Sequence, residues 1–293
     1  MPVPHPLLVL VDPQARHADG ESVRIARDVL SAGAPGVKVC LPEGPEETAR
    51  ALARRGRRRP VLIGDDRALL RAVRLLHLER GLADCALAVV PVGGPGSVVL
   101  AGRLGLPLDA VRAARTVLEG RERRFDLLID DSGGVVLGGL RIPPVREGER
   151  DAREEPGDRG EGARGPLDRY RSLVRTLARP PAPDPGPARL RVEADGVVLA
   201  DLDRPVDRVS LSPGDGGLAD VVVRQRSADG PLRVRARTVT VSGPHFRYRA
   251  DAVVSGPVLT RTWTAHPSAL CLTVPADPPA PPVLPQRQAP PGS

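Results

Sequence analysis

The residues of this chain best placed to do chemistry are aspartates and glycines that directly follow short apolar runs. Asp12 closes the run Leu7 to Val11, Gly64-Asp65-Asp66-Arg67-Ala68 closes Pro60 to Ile63, and Gly93-Gly94-Pro95-Gly96-Ser97 follows Ala86 to Val90. A glycine-rich turn that leads from a strand into a helix can point backbone N–H groups at an anion, and an acid beside it can handle a cation or a proton. Asp12, Gly64, Asp66, Gly93, Gly94, Gly96 and Ser97 are therefore the candidate phosphate-binding residues. The two common phosphate-cradling fingerprints, the P-loop and G-x-G-x-x-G, are both missing. The 5 histidines form no metal spacing, and Cys40, Cys85 and Cys271 lie far apart without a C-x-x-C pair, so they read as buried thiols.

The elements that must hold these loops alternate. Leu7 to Val11, Val37 to Leu41, Pro60 to Ile63 and Ala86 to Val90 read as strands, the first buried on both faces. Between and after them, Glu21 to Ser31, a segment begun by Pro45, Asp66 to Arg80 and Pro107 to Glu119 carry apolar residues at helical spacing. This alternation predicts an α/β domain with an open, doubly wound sheet over residues 1–124, its binding loops at the strand C-termini. Near residue 124 the period shortens to two. Phe125 to Ile129 and Val135 to Ile142 read as strands joined by a turn at Asp130 to Gly134, and Arg189 to Val274 as short strands with turns at Asp195-Gly196, Gly214 to Gly217 and Asp229-Gly230. A β-rich, sandwich-like domain is expected over 125–274, with a charged, disordered insertion over 143–165, a short helix at Leu167 to Leu177, a stiff spacer at Pro180 to Pro187 and a disordered Pro-rich tail over 275–293.

Taken in order, these motifs resemble the diacylglycerol kinase catalytic domain family, which includes bacterial diacylglycerol kinases and sphingosine kinases. The resemblance rests on Asp12-Pro13, Gly64-x-Asp66, Pro91-Val92-Gly93, Ala101-x-x-Leu104-Gly105-Leu106-Pro107, then Asp215-Gly216-Gly217-Leu218-Ala219-Asp220-Val221 and Asp251-Ala252-Val253, in an order that holds over about residues 7 to 275. It implies phosphoryl transfer from ATP, with Mg²⁺, to a lipid hydroxyl of the diacylglycerol type. On the same footing it implies catalytic roles for Asp66, Asp215 and Asp220 and a C-terminal domain that shapes the lipid site; the metal ligands stay unassigned. The motifs also depart from the family pattern. The family's G-G-D-G-T stands here as Gly64 to Ala68, with Asp65 and Arg67 at glycine positions and Ala68 in place of threonine. A Cβ there obstructs close backbone approach, and a carboxylate about 4 Å from a phosphate charge costs about 1 to 4 kcal/mol between bulk water and a protein surface. The family's P-L-G-T-G-N-D loop loses its Asn and Asp in Pro91 to Ser97, Gly216 replaces the second acid of D-D-G, and Val253 replaces the acid of D-G-E. These losses define the first alternative, a catalytically inactive pseudokinase that binds lipid, nucleotide or a partner. An unrelated nucleotide-binding metabolic enzyme on a similar sheet is the second.

The net charge of +7 comes almost wholly from arginine, since Lys38 is the only lysine, and aromatics make up only 2%. That arginine bias is a compositional signature, and with no stacking platform the chain is not expected to bind nucleic acid. No run approaches the roughly 20 apolar residues of a membrane span and no signal-peptide core is present, so the expected setting is cytoplasmic, peripheral at the inner membrane face where a lipid substrate would be met. A homodimer is a candidate assembly. The segment 143–165 is dense in charge and poor in apolar residues. Limited proteolysis read by mass spectrometry is expected to cut there first, and protection of that segment would overturn its assignment.

Overall fold

The computed structural model describes residues 6–82, 85–143, 188–226, 228 and 230–276. The expected insertion beyond Pro143, the helix Leu167 to Leu177, the Pro180 to Pro187 spacer and the tail beyond Ala276 lie outside the described residues. Among the described residues, packing separates two units, one within 6–138, 213–218 and 264–276, the other within 139–143, 188–212 and 219–263.

The first unit is built on a parallel sheet of β1 (Leu7–Val11), β2 (Lys38–Cys40), β3 (Arg59–Gly64) and β4 (Ala88–Pro91), in the order β2-β1-β3-β4. All five residues of β1 are buried, as a continuous apolar run in a parallel sheet requires. In register, Val9 pairs with Val39 and Val61, and Ile63 with Val90. Leu7, Val9, Val11, Val61, Ile63, Ala88 and Val90 form one face and pack with α2 (Gly20–Gly33) and α6 (Ala110–Glu119) through Val23, Ala26, Leu30, Ala113, Ala114 and Val117. Leu8, Leu10 and Leu62 turn to the other face, beside residues of α3 (Pro45–Ala53) and α4 (Asp66–Leu78). The sheet is thus wound on both faces. The loop expected after Asp12 is a short helix, α1 (Pro13–Ala18), because Pro13 takes the first helical position and Asp12 caps it. After β4 the chain makes a single 3-10 turn, Pro95–Ser97, and a short α5 (Val99–Arg103).

The same unit holds β5 (Arg121–Asp130) and β6 (Val135–Val136), an antiparallel pair that places Leu128 opposite Val136. Asp130 makes the intervening turn by accepting from the backbone N–H of Ser132 at 2.8 Å and of Gly134 at 2.7 Å. Strand β14 (Val253–Val274) ends here beside β5, and its Leu272 bridges to Leu87, whose N–H donates to Cys271 O at 2.9 Å.

The second unit is antiparallel. Strands β7 (Leu140–Ile142), β8 (Arg191–Ala194), β9 (Val197–Ala200), β10 (Val206–Pro213), β11 (Ala219–Gln225), β12 (Leu232–Ala236) and β13 (Thr238–Ala250) join the N-terminal part of β14. The sheet order is β12-β11-β10-β7-β13-β14-β5-β6, with the β8–β9 hairpin paired to β13. β11 alternates, with Ala219, Val221 and Val223 buried and Asp220 exposed. Strand Val135 to Ile142 is broken in two at Gly139, where a Cβ would stand 2.9 Å from Leu211 O. The Gly139 N–H donates to Asp251 Oδ1 at 2.9 Å. Trp263, the only tryptophan, is 1% exposed and meets Tyr248 edge-on at 5.2 Å between ring centroids. Among the described residues no helix is long and apolar enough to cross a membrane.

Leu30 is fully buried between α2, α6 and the sheet. Leu30→Ala is expected to destabilise the protein by about 2–5 kcal/mol, read from urea unfolding followed by circular dichroism, because the vacated volume loses both transfer and packing energy.

Candidate functional site

Three loops meet at the C-terminal edge of the parallel sheet. Hydrogen bonds hold them in register: the Asp12 N–H donates to Ile63 O at 2.9 Å and the Val92 N–H to Gly64 O at 3.0 Å. Gly64 is a glycine for a steric reason, since a Cβ there would stand 2.8 Å from Ala68 Cβ and 3.0 Å from Asp12 Cβ. A Cβ on Gly93 would run into Ser97 Oγ and stand 3.4 Å from Asp65 Cβ. The structure therefore brings Asp12, Gly64, Asp65, Gly93 and Ser97 together. Nothing stands within 4 Å of where a Cβ on Gly94 or Gly96 would point, so a phosphate oxygen can reach this backbone.

The acids at this edge are engaged with the protein itself. Asp12, 7% exposed, accepts from the Gln14 N–H at 2.9 Å and pairs with the Arg71 guanidinium. Asp65 caps α4 by accepting from the Ala68 N–H at 2.9 Å. Asp66, 4% exposed, accepts from the Leu100 N–H at 2.8 Å through one oxygen and from the Ala101 N–H at 3.0 Å through the other. It thereby fills the N-terminus of α5, whose amides a phosphate would otherwise use. Burial lifts the Asp66 carboxyl above the usual aspartate range and the adjacent Asp65 charge adds to this, while the backbone hydrogen bonds from Leu100 and Ala101 oppose it. Ser97 Oγ donates back to Gly94 O at 2.9 Å and so fixes the glycine turn.

The loop's open glycines fit a phosphate group. A cation held by protein acids alone does not fit these residues: Asp66 has both oxygens bound by backbone, and no group of three or more His, Cys, Asp or Glu could hold a metal among the described residues. Mg²⁺ ordinarily takes only one or two carboxylates together with substrate phosphates and water, so it would come with the nucleotide.

Asp215 and Asp220 belong to other surroundings. Asp215 is exposed on a turn where Gly216 and Gly217 adopt φ of +76° and +75°. Asp126 of β5 anchors that turn, accepting from the Gly217 N–H at 2.7 Å through one oxygen and from the Ser268 N–H at 2.7 Å through the other. Gly217 also lies against Pro267, 3.0 Å from where its Cβ would be. Asp220 sits on the exposed side of β11, opposite Arg235 in register and 3.3 Å from its guanidinium. Two residues of this arrangement, Asp65 and Arg71, were not singled out for it by sequence reasoning. Asp65 had a usable signal, an aspartate three residues before Ala68 at the head of an apolar-periodic helix. Arg71 had none, since its partner Asp12 is remote in sequence.

No family model and no curated protein matches the chain. Solved structures do. A protein described as "a putative diacylglycerol kinase from Bacillus anthracis str. Sterne" superposes with a TM-score of 0.68 at 16% identity, covering 94% of this chain and 98% of that one. Another, described as a diacylglycerol kinase from the same strain, gives 0.64 at 13% identity with the same coverage. The likeness is one of fold, a parallel α/β sheet followed by a large antiparallel one, along nearly the whole chain.

Asp66→Asn keeps the shape but turns one acceptor into a donor facing an α5 amide, and is expected to cost about 1–3 kcal/mol of stability at neutral pH. Because the folded carboxyl is lifted, its protonated form contributes stability that is complete below the unfolded value of 3.8 and is lost as pH rises through the folded one. The stability gap between wild type and Asp66→Asn should accordingly narrow as urea titrations step upward in pH from below 3.8.

Proposed function

We propose that this chain is a lipid kinase of the diacylglycerol kinase type, with slow phosphoryl transfer from Mg-ATP to a lipid hydroxyl at a membrane surface. The convergence of Asp12, Gly64 to Asp66 and Gly93 to Ser97 at one edge of the parallel sheet carries the reading, because the strand ends of such sheets are where nucleotides are bound. The whole-chain likeness in fold supports it. Mg-ATP would supply the transferable phosphoryl group and the neutralising charge. In this reading the Gly93 to Ser97 backbone cradles phosphate, Ser97 holds the turn, and Asp66 is a positioning residue that fixes this loop to β3. Asp215, exposed on its turn, takes the proton of the lipid hydroxyl in this reading, and Asp220, paired with Arg235, has no chemical part.

A second reading, a protein that holds nucleotide or lipid without turnover, is favoured by the engagement of Asp66 with α5 and of Asp12 with Arg71. Calorimetry separates both readings from a protein with no nucleotide site: Mg-ATP should bind with a dissociation constant below about 1 mM, or −4.1 kcal/mol. In the variant Asp65→Gly with Arg67→Gly, loss of the α4 cap costs only a few tenths of a kcal/mol, about, while removal of the repulsive charge should strengthen Mg-ATP binding by about 1–4 kcal/mol. A lipid phosphorylation assay on the unmodified chain should give turnover below the ordinary kinase range of about 1–100 s⁻¹. No turnover with intact Mg-ATP binding selects the second reading, and absence of Mg-ATP binding in both forms sinks the kinase reading.

A further inference from the structure

A cleft of about 320 Å³ in the first unit, beside the edge strand β2 and α3, is lined by Lys38, Arg50, Arg54, Arg55 and Arg58 together with Leu8, Cys40 and Ala51, and by no acid. Leu8 stands near the start of β1 and Arg58 just before β3, so the cleft opens toward the N-terminal half of the sheet. Asp12 and the glycine loops lie at the other edge, about 13 Å further along β1 at roughly 3.3 Å per residue.

Two of the five cations are paired: Arg50 reaches Glu47 at 3.7 Å on an exposed surface, and Arg55 reaches Glu79 at 3.2 Å. Arg55 is a built feature. Its side chain is 16% exposed, donates to Leu52 O at 2.9 Å, and occupies space that a Cβ on Gly81 would invade. Lys38, Arg54 and Arg58 have no carboxylate partner among the described residues. Cations at the end of a helix are ordinary, because they meet its carbonyl dipoles, and that accounts for Arg54, the residue closing α3. It does not account for Lys38, which is on a strand, or Arg58, which is held beyond the turn by its N–H donating to Arg55 O at 3.1 Å. The three cations without a carboxylate partner repel each other in one concave site, and an anion in the cleft would relieve this.

We infer that this cleft binds a small anion carrying one or more phosphoryl groups, at a site separate from the strand-end loops. Planar guanidinium groups suit phosphate oxygens, and the volume suits a compact diphosphate or the phosphate headgroup of a lipid. The test uses the full chain. Inorganic pyrophosphate is titrated calorimetrically into wild type, into Arg54→Gln with Arg58→Gln, and into a charge-matched control, Arg208→Gln with Arg233→Gln, whose exposed arginines lie on β10 and β12. Pyrophosphate should bind wild type and the control alike, and the cleft variant about tenfold more weakly, with affinity falling as salt is raised. In parallel, each protein is sedimented with phosphatidylcholine vesicles with and without phosphatidic acid. Arginine-dependent binding of pyrophosphate identifies a soluble ligand. Arginine-dependent binding to phosphatidic acid vesicles alone identifies a lipid headgroup, and either result supports the site. Failure of both probes to bind, or binding that survives the cleft substitutions, overturns it; unchanged circular dichroism shows that the variants are folded.

Discussion

The carboxylate of Asp66 ties the candidate site together. It stands at the first residue of α4, is buried in the protein interior, and receives the Leu100 and Ala101 amides of α5 on its two oxygens. A buried carboxylate is tolerated only when such donors replace water, and buried helix-end amides need acceptors for the same reason. One residue meets both needs, and in doing so fixes the loop after β4 against the loop after β3. Gly64 and Gly93 allow this closeness by lacking a Cβ where the neighbouring chains pass. That contact acts together with the Val92 N–H bond to Gly64 O, which joins the same two loops.

The same arrangement limits the chemistry. A group that transfers a proton or holds a cation needs a lone pair open to it, and Asp66 is buried with each oxygen already accepting a backbone N–H. Asp12 has given its charge to Arg71, and Asp65 one oxygen to the head of α4. What remains open is backbone at Gly94 and Gly96, which suits recognition of an anion more directly than acid–base work. The fold is shared with diacylglycerol kinases at 13% to 16% identity, and a shared fold sets where a ligand would lie rather than what happens to it.

The first unit is discontinuous in sequence. Its later pieces, residues 213–218 and 264–276, are held by Asp126 through Gly217 and Ser268 and by the bridge from Leu87 to Leu272. The positive φ of Gly216, Gly217 and Ser268 shows how sharply the backbone turns at these returns. Charge in this unit is unevenly compensated: the acids at the strand ends have donors, whereas three cations of the cleft beside α3 have no carboxylate partner among the described residues.

The sequence by itself determined the alternation of β1 through α6, because fully buried strands and amphipathic helices leave different periods in the order of apolar residues. It also determined which loops stand at the strand ends, and the change to a two-residue period that marks the antiparallel sheet. The segment after Asp12 was expected as a loop and is a short helix, although Asp12-Pro13 carries a cap followed by a favoured first helical residue. Only the tertiary structure decided what the aspartates do. Asp66 is satisfied by amides 34 and 35 residues away, Asp12 by an arginine 59 away, and Asp126 by amides 91 and 142 away. Local periodicity carries no information about such partners. A carboxylate's chemistry depends on whether its lone pairs are already taken, and that is settled by which distant backbone the fold brings within about 3 Å.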